Sequence, residues 1–238
     1  MKKSFQGTLT DLLYPRRCPI CDGAVAPFGS LICEACIKEP IYIKEPYCMK
    51  CGKELEDEET EYCGDCMRHR HLFDSGRAVF AYKSMSDSIY RFKYKDRQEY
   101  AAYYAECMAG QLGEWIMRRE PDALVPVPIH TSKRRTRGYN QAELLAKELG
   151  RILHIPVESN LIKRMRKTSP MKDLSMAERQ NNLKRAFKIC LNDVKLNTII
   201  IIDDIYTTGS TIDAMSYELR RAGVERIYFV ALAIGKGL

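Results

Sequence analysis

The sequence predicts an α/β protein, a parallel sheet flanked by helices, preceded by a small cysteine-rich N-terminal unit. Three observations predict it. Eight of the ten cysteines fall into four CxxC pairs between residues 18 and 66. From about Phe73 onward, short β-branched runs alternate with amphipathic stretches, the pattern of parallel strands joined by helices. One apolar run, Asn197–Ile202, leads through paired acids and a small hydroxylic loop straight into a helix.

The chain has 238 residues, room for one domain and an appendage. The composition shift sets the expected division at 1–72 and 73–238. No apolar run approaches the roughly 18–20 residues that span a bilayer. The N-terminal MKKSFQGTLTDLLYP has lysines but no continuous apolar core, so a cytoplasmic chain without a signal peptide is expected. The formal charge of +7 suits an anionic partner, a polyphosphate or a nucleic acid.

The cysteine pairs come first in the chain. They are Cys18/Cys21, Cys33/Cys36, Cys48/Cys51 and Cys63/Cys66, each beginning fifteen positions after the last. Two such pairs across a short hairpin can offer four thiolates tetrahedrally to Zn²⁺, so eight cysteines predict two closed, structural zinc sites. Disulfides suit a cytoplasmic chain poorly. A redox CxxC would need a thioredoxin-like βαβ context, which is absent. Grouping 18/21/33/36 with 48/51/63/66 is favoured over a cross-braced arrangement because each ribbon then closes a shorter loop. His69 and His71 are expected at the surface, and Cys107 and Cys190 in buried packing.

The second unit follows in order. Ala78–Tyr82 reads as a strand, Asp87–Tyr94 and Tyr100–Arg118 as helices, and Ala123–Val127 as a strand. Asn140–Leu153 is helical, with Ala142, Leu145, Ala146, Leu149 and Leu153 on one face and Asn140 as its N-cap. Met176–Phe187 is partly helical, with Ser175 and Glu178 spaced as a capping box. Asn197–Ile202 reads as a strand buried on both faces. Ser210–Ala222 is a helix closed by Gly223, and Arg226–Ala233 a last strand.

The chemistry concentrates where Asn197–Ile202 ends. Asp203 and Asp204 arrive at the C-terminal edge of the sheet, where open α/β folds bind ligands. Thr207, Thr208, Gly209, Ser210 and Thr211 then offer hydroxyls, backbone N–H groups and a helix N-terminus to a phosphate. A ligand with a phosphate and vicinal hydroxyls satisfies both halves, as a ribose 5-phosphate does. Val125-Pro126-Val127-Pro128 and His130 form a second loop after a strand. Two basic clusters flank these loops, Lys133, Arg134, Arg135 and Arg137 in one, Lys163, Arg164 and Arg166 in the other.

The segment IIIIDDIYTTGST resembles the signature of the type I phosphoribosyltransferases. With the eight cysteines, Phe92-Lys93-Tyr94, VPVP, RGYNQ and the LSxxER run at Leu174–Arg179, nearly the whole chain resembles the ComF-type competence proteins. Met171 stands where that family often has glutamine. The resemblance implies a double zinc ribbon before a phosphoribosyltransferase-like domain. It implies that phosphoribosyl pyrophosphate binds with Mg²⁺ bridging pyrophosphate and ribose hydroxyls. Asp203 and Asp204 would orient the ribose and Thr207–Thr211 would hold the 5-phosphate, with Pro128 and His130 lining the pyrophosphate loop. Arg137 and Arg166 would assist departure of pyrophosphate, beneath a loop over residues 164–187 that closes on the centre. It further implies a role in natural transformation, with single-stranded DNA and a helicase-type ATPase as partners. An active transferase is the alternative. No aromatic follows the last strand to stack a base, so its acceptor stays unnamed.

Overall fold

The computed structural model describes residues 15–25, 29–38, 40–165, 186–190 and 195–235. The expected capping box at Ser175 and Glu178, the helix over Met176–Phe187 up to residue 185, and Arg166 lie outside them.

Strand β1 (Ser75–Ala81) is followed by helices α2 (Tyr82–Tyr94) and α3 (Tyr100–Met117), after the short helix α1 (Gly64–Arg68) of the cysteine-rich unit. Then come β2 (Ala123–Pro126), α4 (Thr131–Arg137), α5 (Gln141–Leu153), β3 (Ile162–Arg164), β4 (Phe187–Ile189), β5 (Thr198–Tyr206), α6 (Ser210–Arg221) and β6 (Arg226–Ile234). The main sheet has the order β1-β6-β5-β2 and is parallel throughout. A separate antiparallel ribbon pairs β3 with β4.

The four isoleucines of β5 show why this run is central. Ile199 and Ile201 enter one apolar cluster, with Ile212, Met215 and Leu219 of α6. Ile200 and Ile202 enter the other, with Met85, Ile89 and Phe92 of α2, Tyr104 and Met108 of α3, and Leu145 and Leu149 of α5. A strand covered on both faces has no polar side, so alternation disappears from its sequence. The cysteine-rich unit joins the first cluster. Cys48, Cys51 and Cys63 pack there beside Phe73, Tyr206 and Phe229. Among the described residues, no helix is long and apolar enough to cross a membrane.

Gly76 of β1 allows this packing. A Cβ there would lie 2.0 Å from Phe229 Cε1, and that ring is stacked on Tyr206 at 4.5 Å. Gly76→Ala is therefore expected to destabilise the chain by about 1–3 kcal/mol, as overpacking does. Thermal unfolding measures it, and an unmoved midpoint would mean that the aromatic stack yields freely.

Several expectations are corrected. Strand β5 runs past Ile202 to Tyr206, because its register with β6 continues through Asp203↔Ala231 to Tyr206↔Ile234. Helix α2 starts at Tyr82 rather than Asp87, and buries Met85 as well as Ile89. Residues 131–137, expected only as a basic stretch, form α4, whose end is closed by Gly138 at φ 80°. Asn140 sits at the N-cap position, but its amide donates to the Val127 carbonyl at 3.0 Å instead of capping. Cys107 is buried as expected, whereas Cys190 is exposed.

Candidate functional site

The cysteines form two groups, 18/21/33/36 and 48/51/63/66, with the sulfurs of each group within 4.8 Å of one another. Cys21 and Cys33 sulfurs are 3.9 Å apart, and those of Cys51 and Cys63 3.6 Å. A tetrahedron with Zn–S bonds of about 2.3 Å has edges near 3.8 Å, so both groups fit Zn²⁺. This is the sequential grouping, not the cross-braced one. Burial raises the Cys18 thiol, but backbone amides of Cys33, Cys21 and Ile20 outweigh it and bring it down to about 7. Amides aimed at sulfur favour the thiolate that a metal requires.

Neither histidine belongs to these groups. His69 is exposed, and its Nδ1 donates to the Asp65 carbonyl at 3.2 Å. His71 is not at the surface. It is buried, and its Nδ1 donates to Asp213 Oδ2 at 2.7 Å. His71 ends the polar run Arg68-His69-Arg70-His71, which gives no apolar period, so its sequence reads as exposed.

The two ligand loops of the sheet are neighbours. Strands β2 and β5 pair directly, and the Val127 N–H donates to the Ile202 carbonyl at 2.9 Å. This brings the Val127–His130 loop beside the β5–α6 loop at one C-terminal sheet edge. Pro128 and His130 are partly buried there, and His130 Nδ1 accepts from the Ser132 N–H at 3.2 Å to cap α4. Thr207 and Thr208 are exposed, Gly209 is buried at φ 78°, and Ser210 and Thr211 open α6. The first N–H groups of a helix lack intrahelical acceptors, which leaves them for a ligand. Thr208 Oγ1 and Ser210 Oγ lie 3.2 Å apart across the loop mouth.

Asp203 and Asp204 stand at the end of β5 before this loop. Burial, then the Asp204 charge, raises the Asp203 carboxyl to about 8. Its Oδ1 accepts the Asp204 N–H at 2.9 Å. Asp204 pairs with Lys93 of α2 at 3.0 Å, both side chains largely buried. Lys93 is the site residue that the basic clusters did not point to. It stands in the Phe92-Lys93-Tyr94 segment noted above, and its place at the end of an amphipathic helix was the available signal. Because the Lys93 charge opposes the rise at Asp203, Lys93→Met is expected to push that carboxyl up further, by about one unit. Carboxyl-carbon NMR titration measures it, and an unshifted Asp203 would separate the two groups.

The basic residues divide. Lys133 is lowered by burial and by the charges of Arg164, Arg137 and Lys93, so these four cations share one field. Arg164 is lowered by its own burial, with Asp203 opposing. Arg137 gives Nη2 to the Tyr94 hydroxyl at 2.9 Å and lies over that ring. Arg134 and Arg135 are exposed, Arg134 within 3.4 Å of Glu143. Lys163 is exposed on β3. The Met165 N–H donates to the Ala186 carbonyl at 2.8 Å, so the chain leaves and re-enters the described structure beside Arg164. Lys93, Lys133 and Arg164 act on the two acids with Arg137 in the same field, and an anion would relieve the cations' repulsion.

The chain matches two family models, a double zinc ribbon domain over residues 9–67 and a phosphoribosyl transferase domain over residues 108–237. It is 34% identical to Competence protein F of Haemophilus influenzae over 226 residues, covering 91% of this chain and 96% of that one. It is 30% identical to the DNA utilization protein YhgH of Salmonella typhimurium over 223 residues, with the same coverage. Competence protein ComFC of Bacillus subtilis is 28% identical over 197 residues, 76% of this chain and 74% of that one.

Proposed function

We propose, from the premise that this chain belongs to the ComF family of double-zinc-ribbon, phosphoribosyl-transferase-domain proteins, that it binds a sugar diphosphate of the phosphoribosyl pyrophosphate type and handles single-stranded DNA during uptake. One observation carries the ligand half. Lys93, Lys133 and Arg164 act on Asp203 and Asp204, with Arg137 in the field of Lys133, immediately ahead of a hydroxylic loop at the start of α6. Thr207–Thr211 would take the 5-phosphate, the acids the ribose hydroxyls, and the cations the pyrophosphate. Pro128 and His130 would line its loop, and bound Mg²⁺ would neutralise the diphosphate charge. Residues 1–72 form the ribbon in this division and 73–238 the ligand-binding part.

Calorimetry with phosphoribosyl pyrophosphate and Mg²⁺ tests this half, and absence of saturable heat in the wild-type chain would reject it. The DNA half is supported by what the names of the relatives say of those proteins and by the exposed Arg134, Arg135 and Lys163 near the site. Cations that track a phosphate backbone make binding fall steeply with salt. Single-strand affinity equal at low and high salt, or unchanged in an Arg134→Ala/Arg135→Ala chain, would reject it. A helicase-type ATPase is the proposed protein partner, tested by co-purification with the full chain.

The raised Asp203 favours a second reading, transfer of ribose 5-phosphate to an acceptor. A carboxyl near 8 can exchange a proton at neutral pH, the property general acid–base chemistry needs. Pyrophosphate release across purines, pyrimidines and ammonia tests it against an Asp203→Ala/Asp204→Ala control. Release that no acceptor accelerates would leave binding as the function.

A further inference from the structure

The β5–α6 loop does not stand on the sheet alone, since one wall of it comes from the cysteine-rich unit. His71 follows the cysteine group member Cys66 by five residues, and α1, which carries Cys66, ends at Arg68 just before it. The buried His71 ring gives Nδ1 to Asp213 Oδ2 at 2.7 Å, while the Leu72 N–H donates to Asp213 Oδ1 at 2.8 Å. Both Asp213 oxygens are thus occupied from this side. The Asp213 N–H donates to the Gly209 carbonyl at 2.8 Å, closing the first turn of α6 on the loop. Gly209 lies against the same ring, so near that a Cβ would sit 2.8 Å from His71 Cε1.

The ring is braced from behind. It stacks on Phe73 at 4.7 Å, and Phe73 meets Tyr206 edge-on at 6.2 Å. Phe73 and Tyr206 share their apolar cluster with Cys48, Cys51 and Cys63. The first cysteine group faces elsewhere. Asp22 beside it holds Arg97 and Tyr100, and the Ile20 carbonyl accepts from Arg91 at 2.6 Å, all on the α2–α3 side. His71 Nε2 is buried with no partner among the described residues. A phenyl ring would fill the slot without that orphan nitrogen. What the imidazole adds is the Nδ1 bond to Asp213.

We propose that His71 is a positioning residue for the phosphate loop, and that the second cysteine group transmits its metal occupancy to that loop through it. The ligand consequence rests on the phosphate-binding reading given above. The loop's order does not, and it can be measured with no ligand present.

Hydrogen exchange on the full zinc-loaded chain is the test. Losing one hydrogen bond to a carboxylate is expected to speed exchange of amides 207–213 in His71→Ala by about tenfold. His71→Asn, which keeps a donor for Asp213, is expected to recover part of the protection. Metal content and the protection of β6 should match wild type in both. In stepwise chelation of the wild-type chain, loop exchange should rise with opening of residues 48–66 and not with opening of residues 18–36. Unchanged loop exchange in His71→Ala overturns the proposal, as does an equal rise throughout β6. A loop that stays protected after residues 48–66 open overturns the metal link. With ribose 5-phosphate as probe, His71→Ala should bind about tenfold more weakly than wild type. If wild type itself does not bind, the phosphate-binding reading fails while the exchange result stands.

Discussion

Gly209→Ala is expected to weaken ribose 5-phosphate binding on the order of a hundredfold, the scale of a cradle displaced by about 1 Å. Gly209 adopts φ 78°, where a residue with a Cβ is strained by about 1–2 kcal/mol. The added carbon would also lie 2.6 Å from the Tyr206 hydroxyl and 2.8 Å from His71 Cε1. Neither neighbour can retreat. Tyr206 is stacked face to face on Phe229, with 3° between the rings, and His71 is fixed by Asp213. The loop must therefore lift, taking its N–H groups away from the phosphate. Calorimetry with the sugar phosphate measures the loss. Wild-type affinity in this variant would show that residues 207–211 are not the cradle.

Asp203→Asn is expected to move stability and binding in opposite directions. The carboxyl rises from an ordinary 3.8 to about 8 in the folded chain. Between those values the folded protein holds a proton that the unfolded chain has released. Wild-type stability therefore falls as pH rises through this window. Asparagine has no such proton, so the variant gains on wild type from about pH 4 upward and levels off above pH 8. At 1.36 kcal/mol per unit, the gain at pH 8 is on the order of several kcal/mol. Urea unfolding at pH 4 and pH 8 reads it, and equal differences at both would remove the burial effect. Ligand affinity should drop, because vicinal hydroxyls favour an ionised acceptor. For the same reason wild-type binding at pH 7 should release up to about one proton, seen as a heat that changes with buffer.

What the sequence disclosed follows from where periodicity and spacing survive. The four isoleucines of β5 carry their own assignment, since a run that apolar has few alternatives at that length. The cysteines resolve their grouping because a closed ribbon leaves short loops. Helix α4 was hidden because none of its residues is buried, so it has no apolar stripe to find. The inward turn of His71 was hidden because its partner Asp213 is 142 positions away. The same holds for Lys93 of α2, whose acid arrives from the distant strand β5. Asn140 stands at the correct cap position, yet tertiary structure recruits its amide to Val127. Contacts local in the chain were legible, and those made by folding at a distance were not.

The sheet order has a consequence for how the molecule is made. Strand β6 follows β1, β2 and β5 in the chain, yet it lies between β1 and β5. A ribosome therefore delivers the pair β2–β5 and, apart from it, β1 before the piece that joins them. Ser75 must wait for Tyr228, its partner in the register. Pairing over such separations is slow, since the chain must close a large loop before any contact rewards it. Until then the β6-facing edges of β1 and β5 hold backbone N–H and C=O groups without their partners, and such open edges invite pairing with other chains.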